Sequence, residues 1–237
     1  MRHIAAFLRS VLFALIFYPV SVLYVVAAFA MIFVSAPLMR RIAHHWAGFH
    51  RLCARWLLGV KVEIIGAPQA APALYAIKHE SMFETIEVPL VFAEPAVVAK
   101  RELQHIPLWG QIATHYGMIF IDRDGGAATL RSMMQAVRGF VADGRSIVIF
   151  PEGTRTPHGV HAPLQSGFAG LYKIAKLPVI PVAVDSGRLM RKGRFTRYPG
   201  TVTVRFCDPI PPGLDRETIE TRVHAAINML NRKAGAN

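Results

Sequence analysis

The feature that most constrains this chain is a run of 30 consecutive uncharged residues between Arg9 and Arg40, rich in Val, Leu, Ile, Phe and Ala. As a single helix it would reach about 45 Å, against a hydrocarbon core about 30 Å thick. Backbone in lipid must satisfy its own hydrogen bonds, so the run is expected to be helical. Pro19 is expected to kink or break it. Both flanks are basic, with Arg2 and Arg9 before and Arg40 and Arg41 after. The positive-inside rule then puts both ends on the cytoplasmic face, which favours a re-entrant or kinked insertion over a simple span. Ala28-Phe29-Ala30 has the spacing of a signal cleavage site, but the apolar run continues through residues 31–34.

A second helix follows. Leu38, Ile42, Trp46, Phe49, Cys53 and Trp56 recur at spacings of three and four, with Arg41, His44, His45, Arg51 and Arg55 on other faces. No acid appears before Glu63. A basic amphipathic helix carrying two tryptophans suits an anionic membrane interface; the alternative is a helix whose stripe packs on the domain that follows. The whole chain has 27 Lys and Arg against 15 acids, a formal charge of +12. That excess calls for an anionic partner: nucleic acid, an acidic membrane surface or a phosphorylated substrate. No nucleic-acid module is recognisable, and the apolar run suits lipid better. With 53% apolar and 18% charged residues, disorder is excluded. Cys53 and Cys207 cannot supply a disulfide framework or a thiolate zinc site.

From about residue 60 the pattern becomes alternating strands and helices. Strands are predicted at residues 60–65, 73–77, 96–99, 118–121, 146–150, 179–184 and 201–207. The clearest helix between them spans residues 127–141, with Ala127, Leu130, Met134, Val137 and Val141 on one stripe. The last spans residues 216–230, with Asp215 as N-cap and Ile219, Val223, Ile227 and Leu230 facing inward. This alternation predicts an α/β fold, a largely parallel sheet flanked by helices and preceded by a two-helix membrane-anchoring element. The expected division is residues 1–58 for the membrane-associated helices and 59–237 for one α/β domain.

Three short stretches carry chemistry. In Lys78-His79-Glu80-Ser81-Met82-Phe83-Glu84, five helical steps would turn His79 and Glu84 about 140° apart, so they meet only if His79 lies in the loop and Glu84 in the first helical turn. Ser81 and Glu84 form a capping-box pattern at that boundary. A carboxylate that orients an imidazole and stabilises its protonated form makes a general base, although Glu84 can also be only a cap. Phe150-Pro151-Glu152-Gly153-Thr154-Arg155 follows a strand, where ligands of open α/β sheets bind; Gly153 permits a tight turn and Arg155 offers a planar fork for phosphate. Residues 117–123 form a third strand ending in Asp122-Arg123, which alone could be a local salt bridge. A metal centre built from His79, Asp122, Asp124 and Glu152 matches no known ligand spacing, and the neighbouring arginines would repel a cation.

Together, the histidine block, Phe120-Ile121-Asp122-Arg123, Phe150 to Arg155 and the apolar block Val179–Val184 resemble the four-block signature of glycerophospholipid acyltransferases, in the family's order. The nearest likeness is to the 1-acylglycerol-3-phosphate acyltransferases; the usual first block has Asp where this chain has Glu84. The resemblance implies a membrane-bound O-acyltransferase of phospholipid biosynthesis. It would move an acyl group from a thioester, on coenzyme A or acyl carrier protein, to the sn-2 hydroxyl of lysophosphatidic acid and so give phosphatidic acid. It implies His79 as general base and Glu84 as the acid that holds its tautomer. Lys100, Arg123, Glu152, Gly153, Thr154 and Arg155 become substrate-binding residues, without metal or cofactor. A backbone N–H near Gly153 is a candidate oxyanion donor. None of the eight serines sits in a Gly-x-Ser-x-Gly elbow, in keeping with direct transfer without an acyl-enzyme. The implied location is the inner membrane, with the catalytic domain facing the cytoplasm and touching an anionic surface. Other readings are acylation of another lysolipid or of glycerol 3-phosphate, and a non-catalytic basic lipid-binding protein. Arg188, Arg191, Lys192, Arg194 and Arg197 crowd a stretch with no acid between Asp185 and Asp208. This loop is expected to face anionic headgroups or an acidic carrier protein.

Overall fold

The computed structural model describes residues 2–122 and 126–231, and the side chains of 126–130 are not described. Arg123 and Asp124, and the Ala127 and Leu130 part of the predicted stripe, therefore lie outside the described residues. Helix α1 (Arg2–Ile32) runs unbroken through Pro19. No break occurs, because the turns around the proline are held both by neighbouring elements and by a bond within the helix. Phe17 stacks on Trp46 and Phe49, Tyr18 receives Arg197, and the Ser21 hydroxyl donates to the Phe17 carbonyl at 2.7 Å.

Ser35 caps helix α2 (Ala36–Cys53), and its hydroxyl accepts from Leu38 N–H. A π-type turn, Ala54–Leu58, then ends on Gly59 with φ +74°. The tryptophan stripe of α2 is divided in two. Leu38 and Trp56 are exposed, whereas Trp46 packs on α1 and donates its indole N–H to Ser21 at 2.9 Å. For the middle of the stripe, packing replaces the expected interface role. Of the predicted stripe only Cys53 is among the buried residues of α2; the others are Met39, Ala47 and His50. Helix α1 touches the rest of the protein along its length, from His3 on Tyr198 to Ala28 beside Met39, Ile112 and Tyr116. Its outer face, with Ile4, Leu8, Leu12, Leu15 and Leu23, is exposed.

Seven strands follow: β1 (Val60–Ile65), β2 (Leu74–Ile77), β3 (Ala96–Lys100), β4 (Ile119–Ile121), β5 (Ile147–Ile149), β6 (Val179–Val184) and β7 (Gly200–Phe206). They form one sheet in the order β1-β7-β6-β2-β5-β3-β4. Among the pairings of the described strands only β6–β7 is antiparallel, so β1 and β7 run against the other five strands. The predicted α/β class and largely parallel sheet are found. The central strands β2, β5 and β6 are buried throughout, as continuous apolar runs covered on both faces should be.

The helices of the domain are α3 (Phe83–Val91), α4 (Trp109–Tyr116), α5 (Gly126–Ala142), α6 (Ser166–Ala175) and α7 (Arg216–Ile227). Tyr75 and Ile77 of β2 point into a core shared with Phe13, Phe17, Phe83 and Ile86. Leu74 and Ala76 point into a second core with Val137, Phe168, Leu171, Ile219 and Val223. In α5, Val137 is buried as predicted, while Met133 is buried in place of the predicted Met134. Helix α7 is capped by Asp215, as its sequence predicts, and buries Ile219, Val223 and Ile227. The neighbouring strands β2 and β5 send their following helices to opposite faces, α3 into the first core and α6 into the second. A crevice opens where such crossovers diverge, beyond the carboxyl ends of the strands.

Candidate active site

The residues at that crevice come from the ends of β2, β5 and β6. His79 leaves β2 in the loop before α3, and its Nδ1 lies 3.0 Å from Glu84 Oε1. Glu84 is in the first turn of α3 and is buried. Its Oε1 also accepts Glu80 N–H at 2.6 Å and Ser81 N–H at 2.7 Å. Its Oε2 accepts the hydroxyls of Ser81 at 3.0 Å and Ser186 at 2.7 Å. The helix starts one residue later than the capping box predicts, and Ser81 Oγ accepts from Phe83 N–H at 3.0 Å. Glu84 therefore both closes the turn and holds the imidazole.

Burial pushes the Glu84 carboxyl up, but the His79 ring, the Ser186 hydroxyl and the Ser81 N–H outweigh it and leave it below the usual carboxylate range. The carboxylate stays charged and holds the proton on Nδ1, which leaves the Nε2 lone pair of His79 for chemistry. The imidazole ring packs against the Phe150 ring, with centroids 4.4 Å apart.

The loop after β5 fixes the backbone of His79. Glu152 Oε2 accepts His79 N–H at 3.0 Å, and Thr156 N–H donates to the His79 carbonyl at 2.7 Å. Glu152 is buried, with Oε1 2.6 Å from Lys78 Nζ. The fully buried Lys78 ammonium has two further acceptors, Asn228 Oδ1 at 2.8 Å and the Val160 carbonyl at 3.1 Å. Its three protons are thus all used, as a buried ammonium requires. Both Glu152 carboxylate oxygens are thus engaged within the protein, by Lys78 and by the His79 backbone.

Gly153 adopts φ +70°, and its N–H donates to the Phe150 carbonyl at 2.9 Å, so the turn takes that N–H. Thr154 is exposed and Arg155 half-buried; Lys192 Nζ reaches Thr154 Oγ1 at 3.4 Å and the Arg155 carbonyl at 3.0 Å. Lys100 ends β3, exposed, in register with Ile121 of β4. Asp122 meets Arg101 at 3.3 Å. Among the described residues, no group of three or more His, Cys, Asp or Glu is arranged to hold a metal ion.

Sequence reasoning missed five residues: Lys78, Asn228, Ser186, and the paired Glu80 and His158. Lys78 and Glu80 flank His79 and could have been noticed as charges at the end of an apolar strand. Ser186 and Asn228 carried no local signal, because both reach the site only through the fold. Glu80 is buried; its carboxylate oxygens lie 3.1 and 3.2 Å from His158 Nδ1, and Oε2 accepts Gly187 N–H at 2.8 Å.

Comparison with known proteins bears on the family and the fold. A family model described as Acyltransferase matches residues 60–185, which contain every active-site side chain above except Ser186, Lys192 and Asn228. A 1-acyl-sn-glycerol-3-phosphate acyltransferase of Limnanthes alba is 36% identical over 158 residues, 65% of this chain and 56% of that protein. The chain thus spans little more than half the length of that plant relative. One of the same name from Pseudomonas aeruginosa is 31% identical over 199 residues, 83% of this chain and 75% of that protein. The fold matches the crystal structure of the 1-acyl-sn-glycerophosphate (LPA) acyltransferase PlsC from Thermotoga maritima with a TM-score of 0.75 and 23% identity, over 97% of this chain and 95% of that one. A histidine–carboxylate pair at the carboxyl edge of this sheet, inside a matching family segment that covers more than half of the chain, places the protein in the acyltransferase family.

Proposed function

We propose that the chain transfers an acyl group from a thioester to the sn-2 hydroxyl of 1-acylglycerol 3-phosphate, giving phosphatidic acid. The observation that carries the reading is the Nδ1 contact of His79 with a buried, multiply bonded Glu84, which leaves Nε2 as the acceptor of the hydroxyl proton. As that proton moves to Nε2, the hydroxyl oxygen attacks the thioester carbonyl carbon. The tetrahedral adduct collapses with cleavage of the C–S bond, and the imidazolium returns its proton to the leaving thiolate. Atoms and protons balance: the products are an ester and a free thiol, and His79 ends as it began. Glu84 stabilises the imidazolium between the two steps.

Arg155, on the loop that holds the His79 backbone, is suited to the acceptor's phosphate. Lys100 and Arg123 are assigned to the same phosphate, with Gly153 and Thr154 shaping the loop and Glu152 positioning His79. The donor is acyl-CoA or acyl carrier protein. Residues 1–58 serve as the membrane-associated helices and residues 59–237 as the acyltransferase domain. Contacts along the whole of α1, together with its exposed apolar outer face, support a helix lying in the inner membrane's cytoplasmic surface, with the domain in the cytoplasm.

The test is acyl transfer to 1-acylglycerol 3-phosphate by purified wild type and His79→Ala, with both thioester donors. Activity in wild type and its loss in a folded variant is the expected result. Activity that survives in the variant overturns the role of His79. Inactive wild type with both donors overturns the reaction.

A further inference from the structure

The basic loop is not a uniformly solvated charge run. Arg188 pairs with Asp185 at 2.6 Å, and Lys192 is bound to the loop after β5. Arg197 is built into α1: its N–H donates to Ser10 Oγ at 2.8 Å, its Nη2 reaches Tyr18 at 3.2 Å, and its guanidinium lies 4.7 Å over the Phe13 ring. Its Nη1 is buried and has no acceptor among the described residues. A buried guanidinium nitrogen without an acceptor is costly unless an anion visits it. Arg191 and Arg194 are exposed, and among the described residues their side chains make no hydrogen bond or ion pair.

The loop separates two cavities. The outer one, about 430 Å³, is lined by Arg191, Gly193, Arg194, Phe195, Thr196 and Tyr198. Its wall continues into the start of α1, where Phe195 meets Phe7 (ring centroids 5.8 Å apart) and Tyr198 meets His3. The inner one, about 180 Å³, has an apolar floor that includes Phe13, Phe17, Phe83 and Ile86, and it reaches Ser81, Met82 and Arg155 beside the His79 pair. Arg191 and Arg194 line both cavities, and Arg197, with its unbonded Nη1, lines the inner one.

We propose that the two cavities form an entry path for a lipid phosphomonoester drawn sideways from the bilayer. Arg191 and Arg194 take its phosphate first, Arg197 takes it within, and the phenylalanine floor takes its chain. The inference rests on the proposed reaction, because the path ends at Arg155 and the His79 pair. The apolar floor fits a chain-bearing phosphate and would be idle with an acidic protein.

The binding arm uses the full chain carrying His79→Ala, so that bound lipid is not consumed. Phosphatidylcholine vesicles are doped with 1-acylglycerol 3-phosphate or with lysophosphatidylcholine of the same chain. Retention should be about tenfold stronger on the phosphomonoester vesicles. Arg191→Gln/Arg194→Gln should remove that excess, and Arg191→Lys/Arg194→Lys should restore most of it. In the active enzyme, the glutamine pair should raise KM for the acceptor about tenfold and leave KM for the thioester in place.

Equal retention of the glutamine and parent proteins on both vesicles overturns the proposal. So does loss of the excess to inorganic phosphate at matched concentration, which would mark a free-phosphate site. A KM rise confined to acyl carrier protein overturns it too, by making the loop a donor dock. If wild type is inactive on 1-acylglycerol 3-phosphate, the proposed reaction fails and the vesicle arm still decides the path.

Discussion

Glu80 and Glu84 sit four residues apart, both buried, at the end of the same strand, yet they are driven to opposite protonation states. Burial, with the nearby Glu84 and Asp185 charges adding to it, pushes the Glu80 carboxyl up to about 8 against the Gly187 N–H and the Lys78 charge. Burial also lowers the affinity of His158 for protons. At neutral pH this pair is therefore a neutral carboxylic acid donating to a neutral imidazole. Glu84 is equally removed from water but receives two backbone N–H groups, two hydroxyls and the His79 ring, and stays ionised. Enclosure does not decide the charge of a buried acid; the number of donors aimed at it does. One acid is held charged beside the His79 ring, while its neighbour ties the loop at Gly187 to the loop at His158 without carrying charge.

The largest effect should come from removing the Glu84 charge. Glu84→Gln should lower kcat/KM by about a thousandfold, because an amide cannot stabilise the imidazolium and one of its ends faces donors with a donor. Glu84→Asp should recover most of that loss; if it does not, the added methylene is part of the His79 geometry. Both are read by steady-state acyl transfer on folded protein.

The next effect belongs to the third buried acid of the site. Lys78→Met leaves the Glu152 carboxylate unpaired in the core and should cost about 3 to 5 kcal/mol in urea unfolding. A smaller loss would mean that Glu152 protonates in the variant. Ser186→Ala removes one of the donors to Glu84 and should cost about 1 kcal/mol of stability. Its acid limb of unfolding should move to higher pH. The folded Glu84 carboxyl is held low, so its stabilisation is present above the unfolded carboxylate pKa and lost as pH falls through the folded value.

The smallest effect at neutral pH is expected for Glu80→Gln, since an amide imitates a protonated acid. A raised folded pKa means that the group favours folding at low pH, and that this contribution is lost as pH rises from about 4.5 towards about 8. Melting temperatures across that window should therefore decline less steeply in Glu80→Gln than in wild type. Identical slopes would sink the neutral-acid assignment.

Strands and their order of appearance were readable because β2, β5 and β6 are short apolar runs bounded by polar turns, and β1 and β6 are predicted residue for residue. The antiparallel pairing of β6 with β7 was not readable, since strand direction leaves no trace in a run of alternating residues. His79 and Glu84 were legible because a local turn decides whether they meet. Lys78–Asn228 and Glu84–Ser186 were not, because those partners are separated by 150 and 102 residues and only the finished sheet brings them together. The unbroken helix at Pro19 and the packed position of Trp46 share one reason: contacts between α1 and α2 override what each residue favours locally.

Helix α1 lies beside the carboxyl edge of the strands, and its Phe13 and Phe17 form part of the cavity that opens next to the histidine. With that helix at a membrane surface, acceptor and product need never dissolve in bulk water. The reaction would then be two-dimensional: its rate would follow the mole fraction of acceptor in the interface and not its concentration in the tube. Diluting the lipid phase with inert phosphatidylcholine at fixed total acceptor should slow turnover in proportion.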